Sequence, residues 1–244
     1  MSPTVAFDAA ASEPKGLLAR ILGVIFSPRA IYSDVIARPR WVGAMLVVLL
    51  LTGGSTFAFL STDIGKSAML DQQRQTMESF GVKLNDQAIQ RMEEGAARAP
   101  YFAAIGQAIV LPIAALAIAG VALAIFNAVL GGDAAFKQVF AVVAHSGVIL
   151  AIGAVFVLPL DYARETLSSP TTLAVFLPFL EENSFVARFL GSIDLVRAWW
   201  FVSLAIGLGV LYRRRTGPIA ITLLVVYAAI ASVIAAIQSA VSGA

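Results

Sequence analysis

The sequence predicts an all-α, polytopic membrane protein: a helical bundle of about five transmembrane helices, led by interfacial helices and carrying an external helical hairpin. Two observations predict it. Hydrophobic residues make up 59% of the chain and charged residues only 13%, at a mean hydropathy of +0.85. A soluble domain carries about 25% charged and about 45–50% apolar residues, so this chain has too few charges to cover a water-facing surface. The charges are also clustered, leaving long apolar runs free of them, which is the pattern hydrocarbon imposes.

A spanning helix needs about 20 mostly apolar residues. Runs at 41–60, 102–130, 136–160, 195–212 and 216–241 qualify, the fourth being the shortest. They divide the chain into an N-terminal segment, 1–40, and a membrane domain, 41–241, with long loops at 61–101 and 161–194. Within the second loop, 171–180 is apolar but too short to span and contains Pro178, so it reads as interfacial. No cleavable signal peptide is visible, because the opening residues are acidic and the first apolar stretch is interrupted by Arg20.

Basic residues set the orientation of such a bundle. Lys15, Arg20, Arg29, Arg38 and Arg40 precede the first span, Lys137 follows the tight second connection, and Arg213, Arg214 and Arg215 form the fourth. These clusters agree on a cytoplasmic N-terminus and an external C-terminus. An odd number of crossings then separates the ends.

Before the first span, Leu17, Leu18, Ile21, Leu22 and Ile25 share one helical face. Ser27-Pro28 resembles an N-cap followed by proline at the first helical position. Ile31, Tyr32, Val35 and Ile36 then share the next face. Two short helices fit this pattern, either lying on the cytoplasmic leaflet or packed under the bundle. Lys15, Arg20 and Arg29 are the candidate contacts to anionic lipid or to a partner. In the 61–101 loop, Met69, Leu70, Met77 and Phe80 suit one helix, and Asn85 caps a second carrying Ile89 and Met92. The hairpin's charges read as a solvated face.

Chemistry-bearing motifs are sparse. Gly65-Lys66-Ser67 lacks the preceding glycine of a phosphate-binding loop, since Leu60 stands there. No nucleophile elbow or dinucleotide fingerprint occurs, and with no cysteine and one histidine no thiolate or paired-histidine site is available. The sequence predicts no enzyme, no cofactor or metal and no nucleic-acid partner. Its expected partners are the lipid bilayer and either another protein or a second copy of the chain. His145 falls near the middle of the third span, with Asn127 and Ser146 as possible members of one polar cluster. Such a cluster serves either as a relay for a solute or as hydrogen bonding between helices. Asp194 and Arg197 lie one helical turn apart at the head of the fourth span, where Ser192 is placed to cap and Trp199 to mark the interface; a structural anchor accounts for them. Ser203 and Gly207, Ala205 and Gly209, and Ala228 and Ser232 sit at the spacing that lets helices approach closely.

Several stretches together resemble the YIP domain, the family named for Ypt-interacting proteins. LLARILGVIFSPRAIYSDVIARPRW resembles its basic amphipathic lead. GGDAAFKQVFAVVAHSG resembles its glycine pair and lysine-containing helix start. SIDLVRAWWFVSLAIGLGVLYRRRTG resembles its aspartate, tryptophan and glycine pattern, here Asp194, Trp199 and Gly207. The resemblance implies a five-span helical domain with a cytoplasmic N-terminus, acting as a non-enzymatic scaffold or partner-binding protein. Eukaryotic members bind Rab-type GTPases. Their Asp-Leu-Tyr-Gly-Pro-like N-terminal motif is absent here, and the long outer loop is that of prokaryotic relatives. A transporter or permease subunit, with a polar site around His145 and Asn127, is the alternative.

Overall fold

Long apolar runs in this chain fold as helices because a helix satisfies its own backbone, the requirement hydrocarbon imposes. A computed structural model describes residues 15–181 and 184–241; the acidic opening residues lie outside them. The described residues form α1 (Leu17–Phe26), α2 (Pro28–Ala37), α3 (Val42–Leu60), α4 (Asp63–Ser79), α5 (Asp86–Ala96) and α6 (Ala99–Leu123), the last extended by a wider π-type turn to Val129. After a short connection come α7 (Phe136–Ser146), α8 (Val148–Arg164), a 3-10 turn (Leu173–Phe176), α9 (Phe185–Ser192), α10 (Leu195–Leu211) and α11 (Thr216–Val241).

Among the described residues, four helical stretches are long and apolar enough to cross a membrane: Val42–Leu60, Ala99–Val129, Phe136–Arg164 and Thr216–Val241. α10, at 17 residues, is shorter. Its contacts nevertheless reach both ends of the bundle. Its cap Asp194 is bonded to the loop after α8 through Ser169 and Thr171, and Tyr212 beyond its last turn stacks on Phe126 near the end of α6. The α6–α7 and α10–α11 connections share an end, where Arg214 donates to the Leu130 carbonyl at 2.8 Å. At the opposite end, Gly81 of the α4–α5 turn lies against Val241. The protein is therefore a multi-pass helical bundle.

Several boundaries differ from expectation for physical reasons. Pro159 does not stop the third span; the helix continues to Arg164, because proline inside a bilayer helix is tolerated when neighbours re-satisfy the backbone. Asp161 is thus in the last turn of α8 and buried, while Glu165 ends it in a left-handed conformation. The 161–194 stretch holds α9, which the sequence reading did not place. Its N-cap is Ser184, whose side chain accepts from the Ala187 N–H. Ser192 does not cap α10: its hydroxyl donates back to Arg188, and Asp194 is the cap. The hairpin caps as expected, with Asn85 accepting from the Ala88 N–H, and Arg74 pairs with Glu93 across its arms at 3.0 Å. Gly65 sits where α3 turns into α4, and a side chain there would overlap the Phe59 carbonyl.

Of the two placements expected for α1 and α2, the structure has the packed one: they form a hairpin against α7 and α10. Gly23 lets the arms meet, since a Cβ there would collide with Ile31. Ile31, Tyr32 and Val35 are buried, and the Tyr32 hydroxyl is 2.7 Å from that of Ser203, midway along α10. Gly207 makes this approach possible, because a side chain there would overlap Val142 and Tyr32. Leu18, Leu22 and Phe26 form an exposed apolar face on α1, the composition suited to hydrocarbon. Ser27 holds the cap position and Pro28 the first helical position of α2, without a side-chain cap bond.

Candidate functional site

Polar side chains inside a bundle need partners, and α7 supplies the setting: every residue from Val139 to Ser146 is buried. His145 and Ser146 are completely enclosed. The His145 Nδ1 lies 2.8 Å from the Ala141 carbonyl one turn back. Its Nε2 is buried with no hydrogen-bond partner among the described residues. Ser146 donates to the Val143 carbonyl at 2.8 Å and accepts from the Trp200 indole N–H at 3.1 Å, joining α7 to α10.

The hairpin brings an ion pair to the same region. Arg20 is 3% exposed, and its Nε donates to the Asp34 carboxylate at 2.8 Å, bonding α1 to α2. A second guanidinium nitrogen donates to the Arg38 carbonyl at 3.3 Å. Both charges act electrostatically on His145. Arg20, Asp34, His145, Ser146, Trp200, Tyr32 and Ser203 thus fill one buried polar zone shared by the hairpin, α7 and α10. A cavity of about 100 Å³ adjoins Trp200, lined by Met45, Leu111, Ile118 and other apolar side chains. It offers no polar passage leading from His145.

This geometry rearranges the residues singled out in the sequence. Asn127 is not part of the His145 zone. Its amide donates to the Ala134 carbonyl at 2.9 Å, closing the α6–α7 connection. The rise of α7 from Phe136 to His145, roughly 13 Å at 1.5 Å per residue, separates that connection from His145. Lys15 and Arg20 line one cleft with Arg40, whereas Arg29 lies apart from them. Lys15 lies beside Arg40 at the base of the hairpin, Arg29 is exposed at its tip, and Arg20 is the buried ion-pair member. Asp34 was the residue the sequence reading missed. Its signal was weak, since the pairing spans 14 positions between two helices.

Asp194 forms a second polar knot at the head of α10. Its Oδ1 accepts from the Val196 and Arg197 backbone N–H groups at 2.8 and 3.1 Å. Its Oδ2 accepts from Ser169 and Thr171 at 2.7 and 2.8 Å. Burial pushes this carboxyl's pKa up, but the four hydrogen bonds outweigh it and hold the group below its usual value. Its own backbone N–H donates to the Tyr227 hydroxyl, which donates in turn to the Ser192 carbonyl, tying α11 to the knot. The Arg197 side chain does not pair with Asp194; only its backbone does. Trp199 is exposed beside it.

Among the described residues no cluster of three or more His, Asp or Glu side chains is arranged to hold a metal ion. In comparison with known families, the Yip1 domain matches residues 22–237, a span that begins inside α1 and ends within α11. No curated protein and no solved structure matches the chain.

Proposed function

The chain belongs to the Yip1 domain family, and from that premise we propose that it is a non-enzymatic membrane scaffold that binds a partner at its basic end. The observation carrying this reading is the use made of the interior polar groups. Arg20 and Asp34 bond to each other, Ser146 and Trp200 join two helices, and Tyr32 and Ser203 lock the hairpin. These contacts build a shape. They do not line a path.

What faces outward at one end is basic. Lys15 and Arg40 lie at the hairpin base, and Arg213 and Arg215 project from the α10–α11 turn beside the glycine-containing 131–134 connection. With this end inside a bacterial cytoplasmic membrane, the arrangement follows the rule that cationic loops remain cytoplasmic. A cleft of about 600 Å³ lies there, lined by Ser33, Asp133, Tyr212, Arg213 and Arg214. It suits an acidic protein segment held by charge.

The test is affinity purification of the full chain from its native membrane, wild type against a Lys15→Gln, Arg213→Gln, Arg215→Gln variant. Arg214 is spared because it bonds to Leu130. Co-purifying proteins should fall severalfold in the variant, and Arg29→Gln made separately should show whether the hairpin tip contributes. An unchanged set of companions would remove the basis for assigning the partner to this end.

The transporter reading keeps one supporting observation, the unpartnered Nε2 of buried His145. Solute flux through reconstituted wild type, lost on His145→Ala, would favour it. Equal background flux for both proteins leaves the scaffold.

A further inference from the structure

At the end of the bundle away from those basic turns, the loop after α8 folds over the head of α10 and encloses a cleft of about 710 Å³. The scaffold role makes no use of it. Arg164, the last residue of α8, and Arg197, in the first turn of α10, both line the cleft, with the hydroxyl residues Ser168 and Thr172 between them in sequence. Leu167 and Leu177 contribute an apolar wall.

Two guanidinium groups face one ionised carboxylate, Asp194, on this lining, and neither is bonded to it through its side chain. Asp194, the carboxylate on this lining, has both oxygens occupied by the loop hydroxyls and by backbone N–H groups. Arg164 spends one nitrogen on the Ser168 carbonyl, and the Arg197 side chain has no hydrogen-bond or ion-pair partner among the described residues. The cleft therefore combines two guanidinium groups, the Ser168 hydroxyl and an apolar wall, the Thr172 hydroxyl being given to the Ser169 carbonyl.

Its rim shows what medium it meets. Val175, Phe176, Phe179 and Phe185 are exposed on the same loop and on α9, with Phe179 exposed at 77%. Exposed phenylalanines beside a charged cleft suit the boundary between headgroups and acyl chains, where the apolar rings leave water. A guanidinium pair recognises a phosphate through short, charge-assisted hydrogen bonds. Aliphatic side chains beside it accept an acyl chain.

We propose that this cleft seats one anionic phospholipid, its phosphate between Arg164 and Arg197 and the first part of an acyl chain along Leu167 and Leu177. A phosphatidylglycerol-type headgroup, with hydroxyls and no second charge, fits the residual positive field. A choline headgroup brings a cation toward two arginines and is disfavoured. The proposal is independent of the partner assigned to the other end.

Native mass spectrometry of the full chain tests it, after delipidation in mild detergent and addition of phosphatidylglycerol, phosphatidylcholine or inorganic phosphate. Wild type should retain one phosphatidylglycerol in preference to phosphatidylcholine, and millimolar phosphate should not displace it. Arg164→Gln with Arg197→Gln should lower that retention about tenfold, as expected for losing charged hydrogen bonds. Arg91→Gln on α5, outside the cleft, should leave it unchanged. Equal retention of both lipids by wild type overturns the proposal, as does unaltered retention by a double variant that melts like wild type. Displacement by inorganic phosphate also overturns it, because the site would then take a small anion. If the double variant fails to fold, the wild-type comparison of the two lipids decides alone.

Discussion

The stretch Phe136–Arg164, made of α7 and α8, and the single helix α11 are close in length and hydropathy, yet their surroundings are opposite. In the first, 56% of the most apolar window is buried within the protein; in α11 the figure is 11%. Hydropathy reports that both avoid water, and it does not say whether protein or lipid replaces the water. The polar residues do. α7 carries His145 and Ser146, and Ser146 engages Trp200 of another helix. In α11 the Ser232 hydroxyl donates to Ala228 of its own backbone and needs no neighbour. Tyr227 of α11 does bond to another element, but at the head of α10, so α11 is tied at that point without being drawn into the core.

The sharpest way to break this contrast is at the ion pair packed beside α7. Asp34→Ala leaves the Arg20 guanidinium buried without its carboxylate. Removing one partner of a buried pair costs about 3–5 kcal/mol. The expected outcome is a large fall in thermal midpoint in detergent, with the hairpin becoming accessible to protease. Arg20→Met combined with Asp34→Leu should recover most of the loss, because no charge is then stranded. A double variant as unstable as Asp34→Ala would show that the hairpin is held by something other than charge pairing.

This region also marks where the sequence was legible. The spanning helices follow from run length, and the outer hairpin from Asn85 and the spacing of its apolar residues. Arg20 was misplaced because a basic residue on a short amphipathic helix ordinarily faces headgroups; nothing within one helical turn discloses a carboxylate on another helix. Asn127 and His145 looked close because both lie in apolar runs, but depth along the bundle separates them. α9 did carry a local signal, in the Ser184 cap and the helical spacing of Phe185 and Phe189, and proximity to Pro178 obscured it. The Asp194 knot was half legible: the cap position is local, while Ser169, Thr171 and Tyr227 arrive from other elements.

That knot is the polar tie of α11 to its neighbour α10, so it tests whether α11 is held by more than its small buried face. Folding lowers the Asp194 pKa, so the folded state favours the ionised carboxylate. Its stabilising effect is complete above the unfolded value of about 3.9 and is lost as pH falls through the lower folded value. Asp194→Asn keeps an acceptor for the backbone but presents N–H groups where Ser169 or Thr171 now donates. We expect it to cost about 1–3 kcal/mol at neutral pH and to shrink the difference from wild type in strong acid. A constant difference across the acid range would mean that the carboxylate's charge is irrelevant to the knot.

The smallest expected effect is the most direct comparison of the two helices. Val142 on α7 is fully buried and faces Gly207, whereas Val226 on α11 is half exposed. Both are valines in apolar helices, so replacement by alanine removes the same atoms. At Val142 the loss adds a cavity to the forfeited packing, about 1–3 kcal/mol. At Val226 lipid chains refill the space, and a change below about 0.5 kcal/mol is expected. Thermal melts of the two variants in the same detergent measure the difference. Should Val226→Ala cost as much as Val142→Ala, lipid would not be what covers α11. A protein surface packed as tightly as α10 packs on α7 would have to lie against it, and the outer face of α11 would be an interface.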